Sequence, residues 1–114
     1  MFKNIALLVI SCDKYSDLWP IYFRSLFKYW PNCPLKIYLG SNYKICDHKD
    51  VTMINIGEDC DYSSNLKAMI SQIDEEYVIT TVEDMFLSAP VDEEHLFSYF
   101  QEFFDNKGAY LKLL

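Results

Sequence analysis

Arginine is nearly absent from this chain. Arg24 is the single guanidinium in 114 residues, and ten basic residues against seventeen acidic ones leave a formal charge of −7. A protein that binds a nucleic-acid backbone needs a basic face, so this balance argues against DNA and RNA as partners. An anionic ligand would have to be held by a metal ion, by backbone N–H groups or by lysines such as Lys14 and Lys67. Paired cysteines are missing too. Cys12, Cys33, Cys46 and Cys60 are widely spaced with no CxxC, which indicates neither a zinc ribbon nor a thioredoxin-like site and reads as free, buried thiols in a reducing cytoplasm. Cys46 and His48 could be two metal ligands, but no second pair stands at a suitable spacing. The opening apolar run is too short for a membrane span or a signal segment with its cleavage site, so no transmembrane segment is expected. No repeat, low-complexity tract or linker interrupts the chain.

What is present describes one globular domain over 1–114. Hydrophobic residues make up 51% and charged residues 24%, ordinary values for a folded chain. Aromatics are high at 17%, with nine Tyr and eight Phe. Most belong in a core, and some tyrosines are expected to line a surface that stacks on a sugar or base.

Residues 5–10 form a continuous apolar run of strand length, closed by the polar turn Ser11-Cys12-Asp13-Lys14. Leu18, Ile21, Tyr22, Ser25, Leu26 and Tyr29 recur at helical spacing and predict a helix over 17–30, capped by Ser16 or Asp17, with Pro20 in its first turn. Phe23, Phe27 and Trp30 make a second stripe, so this helix should touch more than the sheet. Strands are predicted at 35–39, before Gly40-Ser41-Asn42, and at 51–56, before Gly57, with a loop over 43–50. Ser63 or Ser64 should cap a helix to about Ile73 with Leu66, Met69, Ile70 and Ile73 inward. Asp92 should cap a last helix burying Leu96, Tyr99, Phe100, Phe103 and Phe104, ended by Asn106-Lys107-Gly108 and followed by one more strand over 109–114. The alternation predicts an α/β, Rossmann-like three-layer sandwich with a mostly parallel sheet.

The run 77–87 carries the chemistry. Tyr77-Val78-Ile79-Thr80-Thr81-Val82 suits a buried central strand, yet the run meets two adjacent carboxylates, Glu83 and Asp84, before turning apolar again. At the C-terminal end of a parallel strand such a pair falls where open α/β sheets bind ligands, and hard oxygen ligands suit Mg²⁺ or Mn²⁺ held together with substrate phosphates. The plain alternative is a strand ending at a solvated acidic turn.

Together, Ile5 to Tyr15, Ser63-Ser64-Asn65-Leu66-Lys67 and 77–87 resemble the N-terminal, donor-binding half of GT-A glycosyltransferases, in particular sugar transferases of bacterial capsule and surface-polysaccharide clusters. The resemblance implies that Ser11 and Asp13 approach the base or ribose of a nucleotide-sugar donor. Asn65 and Lys67 would reach phosphate or sugar, and Glu83 and Asp84 would bind the metal where an Asp-x-Asp motif stands in the family. This chain has Met85 where that motif has its second acid. A literal Asp-x-Asp occurs instead at Asp59-Cys60-Asp61, in a loop before a helix. The implied activity is transfer to a glycan or lipid-linked acceptor in surface-polysaccharide synthesis, in the cytoplasm or at the inner face of the membrane. The family's catalytic base lies beyond the acidic motif, so the catalytic residue is unassigned and the chain alone is expected to transfer little sugar. An apolar surface that a further half would cover implies self-association.

The bland readings compete with these. Asp13 can simply cap a turn, Ser63 and Ser64 can be helix caps, Lys67 can be a solvated charge, and His95 reads as a surface residue. No Ser, Cys or His forms a nucleophile-and-base pair. The same fold would also serve a non-catalytic nucleotide- or partner-binding domain. A response-regulator-like domain fits less well, because Asp13 has no acidic neighbour and no lysine follows a late strand.

Overall fold

An unbroken apolar strand is satisfied only when both faces of its sheet are covered. β1 (Ile5–Ile10) meets that condition inside a four-stranded parallel sheet. A computed structural model describes residues 4–83 and 90–105, apart from the side chains of 97 and 103–105. β2 (Lys36–Ser41) pairs with one edge of β1, Leu8 opposite Tyr38, and β3 (Val51–Asn55) adds outside β2. β4 (Tyr77–Val82) pairs with the other edge of β1, placing Val82 opposite Ile10. The order β3-β2-β1-β4 means that strand addition reverses between β1 and β4.

Among the described residues three α-helices complete the sandwich: α1 (Trp19–Tyr29), α2 (Tyr62–Ile70) and α3 (Glu93–Asp105). Side chains alternate across a strand, and the core divides accordingly. Ile5, Leu7 and Val9 pack with Ile37 and Leu39 beneath α1 and Phe100 of α3, whereas Ala6 and Leu8 pack with Tyr38 and Ile54 beneath Met69 of α2. Helices on both faces of a parallel sheet are the arrangement the alternation predicts, consistent with a Rossmann-like sandwich.

Several local expectations shift. The predicted helix 17–30 divides into a 3-10 segment over Asp13–Leu18 and α1 proper. Pro20 has no N–H to bond back by four residues, so regular α-helix starts around it and the chain ahead winds more tightly. That start sets the buried seam as Trp19, Tyr22, Phe23, Leu26 and Trp30, leaving Ile21 exposed and Leu18 only partly covered. The second stripe does reach beyond the sheet, for Phe27 stacks on His48 at 4.8 Å between ring centroids. In α2 Met69 is buried while Ile70 is exposed, and in α3 Phe100 is buried while Tyr99 is exposed. β4, expected at the centre, is the outermost strand on its side of β1 among the described residues, with Thr80 exposed. The thiols are half-buried in Cys12, Cys33 and Cys46, and Cys60 is exposed; all are free. The expected terminal strand 109–114, the helix end at 106–108 and the inward Phe103 and Phe104 fall outside what is described.

α3 is fastened to α1 by two bonds across a long sequence gap. The Trp30 indole N–H donates to Glu93 Oε1 at 2.5 Å, and Val91 N–H donates to the Tyr29 carbonyl at 3.1 Å. Asp92 caps α3 as predicted, accepting His95 N–H at 3.1 Å. Removing the carboxylate leaves the indole N–H, on a buried Trp30, without its acceptor. Glu93→Ala is therefore expected to lower stability by about 1–3 kcal/mol, with Glu93→Gln costing less because it keeps an acceptor, as read from urea midpoints.

Candidate functional site

In an open parallel sheet the ends of two strands separate where their order reverses, and the crevice outside their C-terminal ends is where ligands bind. Here the order reverses between β1 and β4, which is where such a crevice is expected. Ile10 faces Val82 where both strands end, so Ser11 and Glu83 are the first residues past two paired strand ends. Glu83 is only 8% exposed, an unusual degree of burial for a carboxylate. Ser11 accepts the Trp19 indole N–H at 2.8 Å, so α1's first residue fixes the hydroxyl at the crevice wall. Tyr22, one turn on, bonds to Thr81 of β4 near the same edge; burial pushes its phenol up and that bond draws it partly back, with nearby Cys33 adding to the rise. Asp84, the second member of the acidic pair, lies outside the described residues.

Asp13 is placed on this edge too, but its carboxylate faces the protein. Oδ1 accepts from Ser41 Oγ at 2.8 Å and from the N–H groups of Asn42, Tyr43 and Lys44 at 3.1–3.2 Å, and Oδ2 accepts Tyr43 N–H at 3.1 Å. Desolvation raises its pKa, but hydrogen bonds from Lys44, Ser41, Tyr43 and Asn42 outweigh it and hold the group below the usual carboxylate range. Asp13 thus pins the loop after β2 to the turn after β1. Asn42 extends the stitch: its Oδ1 accepts Asp13 N–H at 3.0 Å, and its Nδ2 donates at 3.0 Å to the carbonyl of Gly57. Gly57 has φ of 79°, left-handed backbone that a side chain would strain. Ser41, Asn42 and Trp19 are the residues that sequence reasoning passed over. The one available signal was Asn42 in a Gly-Ser-Asn break, since Asn favours turns through its own backbone-like bonds.

The groups expected on α2 divide. Asn65 folds back onto the preceding loop, donating to Asp59 Oδ1 at 2.5 Å and accepting Cys60 N–H at 3.0 Å. Asp61, in place of either serine, is the N-cap, accepting Ser64 N–H at 2.7 Å, and that backbone bond together with the Ser64 hydroxyl lowers its pKa. Both acids of Asp59-Cys60-Asp61 thereby build the start of α2. Lys67 is exposed in the last turn of that helix, roughly 8 Å along the axis from its first residue. Lys14 is exposed as well, its ammonium 5.8 Å from the Tyr15 ring centroid. Among the described residues no three His, Cys, Asp or Glu side chains gather as a metal cage. The Cys46–His48 pairing is taken up locally, His48 Nδ1 accepting Asp50 N–H at 3.1 Å and burial pushing the Cys46 thiol up.

Three tyrosines sit in the loops and helix start at this end of the sheet. Tyr15 follows β1, Tyr43 follows β2 and Tyr62 opens α2; the last two are 69% and 65% exposed. Exposed rings of this kind offer flat faces for a sugar or a base. A cavity lies elsewhere, against the outer side of α1. No helix among the described residues is long and apolar enough to cross a membrane. No protein-family model, no curated protein and no solved structure matches this chain, so its chemistry has to be argued from the residues at the crevice.

Proposed function

We propose that the chain binds the donor of a GT-A-type glycosyltransferase, one that moves a sugar from a nucleotide-sugar to a glycan or lipid-linked acceptor in cytoplasmic surface-polysaccharide synthesis. The observation that carries this reading is Glu83, a buried carboxylate just past the end of β4 where the strand order reverses, with Ser11 at the matching position past β1. A carboxylate just past the C-terminal end of a parallel strand, at a reversal of strand order, stands where open α/β sheets bind ligands. The exposed Tyr43 and Tyr62 add stacking surface at the same edge.

In this reading Glu83, with Asp84 next in sequence, holds a divalent cation; carboxylate oxygens are the donor type that Mg²⁺ and Mn²⁺ prefer. The cation would offset the charge that grows on the departing nucleoside diphosphate. This chain's own residues orient the donor: Ser11, steadied by Trp19, at the crevice wall, and the loop pinned by Asp13 as its rim. Because few acidic side chains converge, the donor's phosphates and water complete the coordination, and binding of nucleotide and metal should be strongly coupled.

A second reading is favoured by the internal bonding of Asp13 and Asn65: a nucleotide- or partner-binding domain without catalysis. Calorimetric titration with UDP, GDP and CDP, each with and without Mn²⁺, separates the two. Under the donor reading one nucleotide binds at least about tenfold tighter with Mn²⁺, roughly 1.4 kcal/mol, and Glu83→Gln removes that gain. An affinity indifferent to metal and to Glu83→Gln would leave the non-catalytic reading.

A further inference from the structure

A cavity of about 910 Å³ lies between the outer side of α1 and the segment 44–48, within the range of small-molecule sites. Its walls are apolar, from Pro20, Phe23 and Phe27 on α1 and Ile45 on the opposite segment. Ile45 is 74% exposed, an aliphatic side chain held out in water beside an aromatic wall. The two walls meet at the His48 ring, which lies on Phe27 with 14° between planes and 6.1 Å from the Phe23 centroid. Around it stand the chain's only arginine, Arg24, with Lys28 one turn further along the helix, and Lys44 across the gap. Lys44 is held in place by a 3.1 Å bond from Nζ to Ser16 Oγ.

Charge makes the groove selective. Arg24, Lys28 and Lys44 against the single carboxylate of Asp47 give the lining's Arg, Lys and Asp side chains a sum of +2, on a molecule whose net charge is −7. Cys46 adds no negative charge, since burial pushes its thiol up. His48 Nδ1 accepts the Asp50 N–H, which places the neutral ring's proton on Nε2 and gives the wall a further donor. A solvated helix face would explain Arg24 and Lys28 alone. It does not explain a cation on the opposite wall, an aromatic floor between them and an exposed isoleucine facing that floor.

We propose that this groove binds a small amphipathic anion: a flat apolar body against Phe27 and Ile45, with its phosphate or carboxylate taken by Arg24 while Lys28 and Lys44 add positive potential around the mouth. Guanidinium takes a phosphate or carboxylate through two parallel bonds. The ammonium of Lys28 rests 5.1 Å from the Tyr29 ring centroid and that of Lys44 on Ser16, so these two act on the ligand through the field. The site is separate from the β1–β4 crevice and does not depend on the donor reading.

The test is calorimetric titration of the full chain with 1-naphthyl phosphate, 1-naphthol and inorganic phosphate, with amide chemical shifts recorded in parallel. The aryl phosphate should bind at least roughly tenfold tighter than either fragment, because body and charge each contribute. Shifts should centre on 20–28 and 44–48. Arg24 and Lys28 are exposed, so Arg24→Glu/Lys28→Glu should fold as the parent does while losing about tenfold or more for the aryl phosphate and nothing for naphthol. Lys44→Glu repeats the test from the opposite wall. Equal binding of naphthol and naphthyl phosphate, shifts centred at the β1–β4 edge, or full affinity in both charge-reversal variants would overturn the proposal.

Discussion

Gly40→Val is expected to destabilise the protein by about 3 kcal/mol or more, and Met69→Ala to restore part of that loss. Gly40 lies in the middle of the sheet, flanked in register by Ile10 on β1 and Ile54 on β3. A Cβ there would stand 2.7 Å from Met69 Cε and nearer still to its sulfur. The strand itself would welcome valine, which loses less backbone freedom than glycine and favours extended structure. The sign is therefore decided by Met69, which is fully buried and whose thioether has to shift for any side chain at position 40. Alanine at position 40 asks only that a flexible thioether bend away, about 1–3 kcal/mol; valine adds two methyl groups to the same contact. Met69→Ala alone should cost about 2–5 kcal/mol by opening a cavity. Combined, the substitutions should fall short of their sum by at least about 1 kcal/mol in urea unfolding, and strict additivity would mean that the two sites do not touch.

Asp13→Asn should lower the melting temperature by roughly 5–10 °C at neutral pH and by much less near pH 3. Three successive N–H groups and a serine hydroxyl converge on this one carboxylate. An asparagine can offer one acceptor oxygen, but its NH₂ would confront donors. The pH dependence follows from the direction of the shift. Asp13's folded pKa is lowered by bonds from Lys44, Ser41, Tyr43 and Asn42 that outweigh the desolvation raising it. Its contribution is thus fully present above the ordinary carboxylate range near pH 4 and is lost as pH falls through the depressed value. Melting curves of parent and variant should converge on acidification. A gap that stays constant down to pH 3 would show that the ionised carboxylate is not what holds the loop. Since residues 42–44 lead into the groove on α1, amide shifts over 41–48 should change with the same substitution.

The order and type of the elements were legible in the sequence because they rest on local physics. An unbroken apolar run makes a doubly covered strand, a 3.6-residue period makes a helix, and Gly57 or the Asp92 cap marks an end. The acidic strand end was legible for the same reason: Glu83 interrupts a run of strand formers. Details of face were less so. Ile21, Ile70 and Tyr99 have the right spacing to be buried and are exposed, because the seam is set by where each helix starts and by what packs on it.

Roles that depend on pairing distant residues appeared only with the tertiary structure. Asp13 reads as a turn cap until the loop 31 residues later, ending at Lys44, is brought against it. Asp59 and Asp61 read as a metal motif until Asn65 and Ser64 are seen to occupy them. Nor does sequence alone place Lys44 across a groove from Arg24. The strand order β3-β2-β1-β4 belongs to the same class. A parallel pairing is chosen by burial and hydrogen bonding between segments far apart in the chain, and it is this order that brings Ser11 and Glu83 to one crevice.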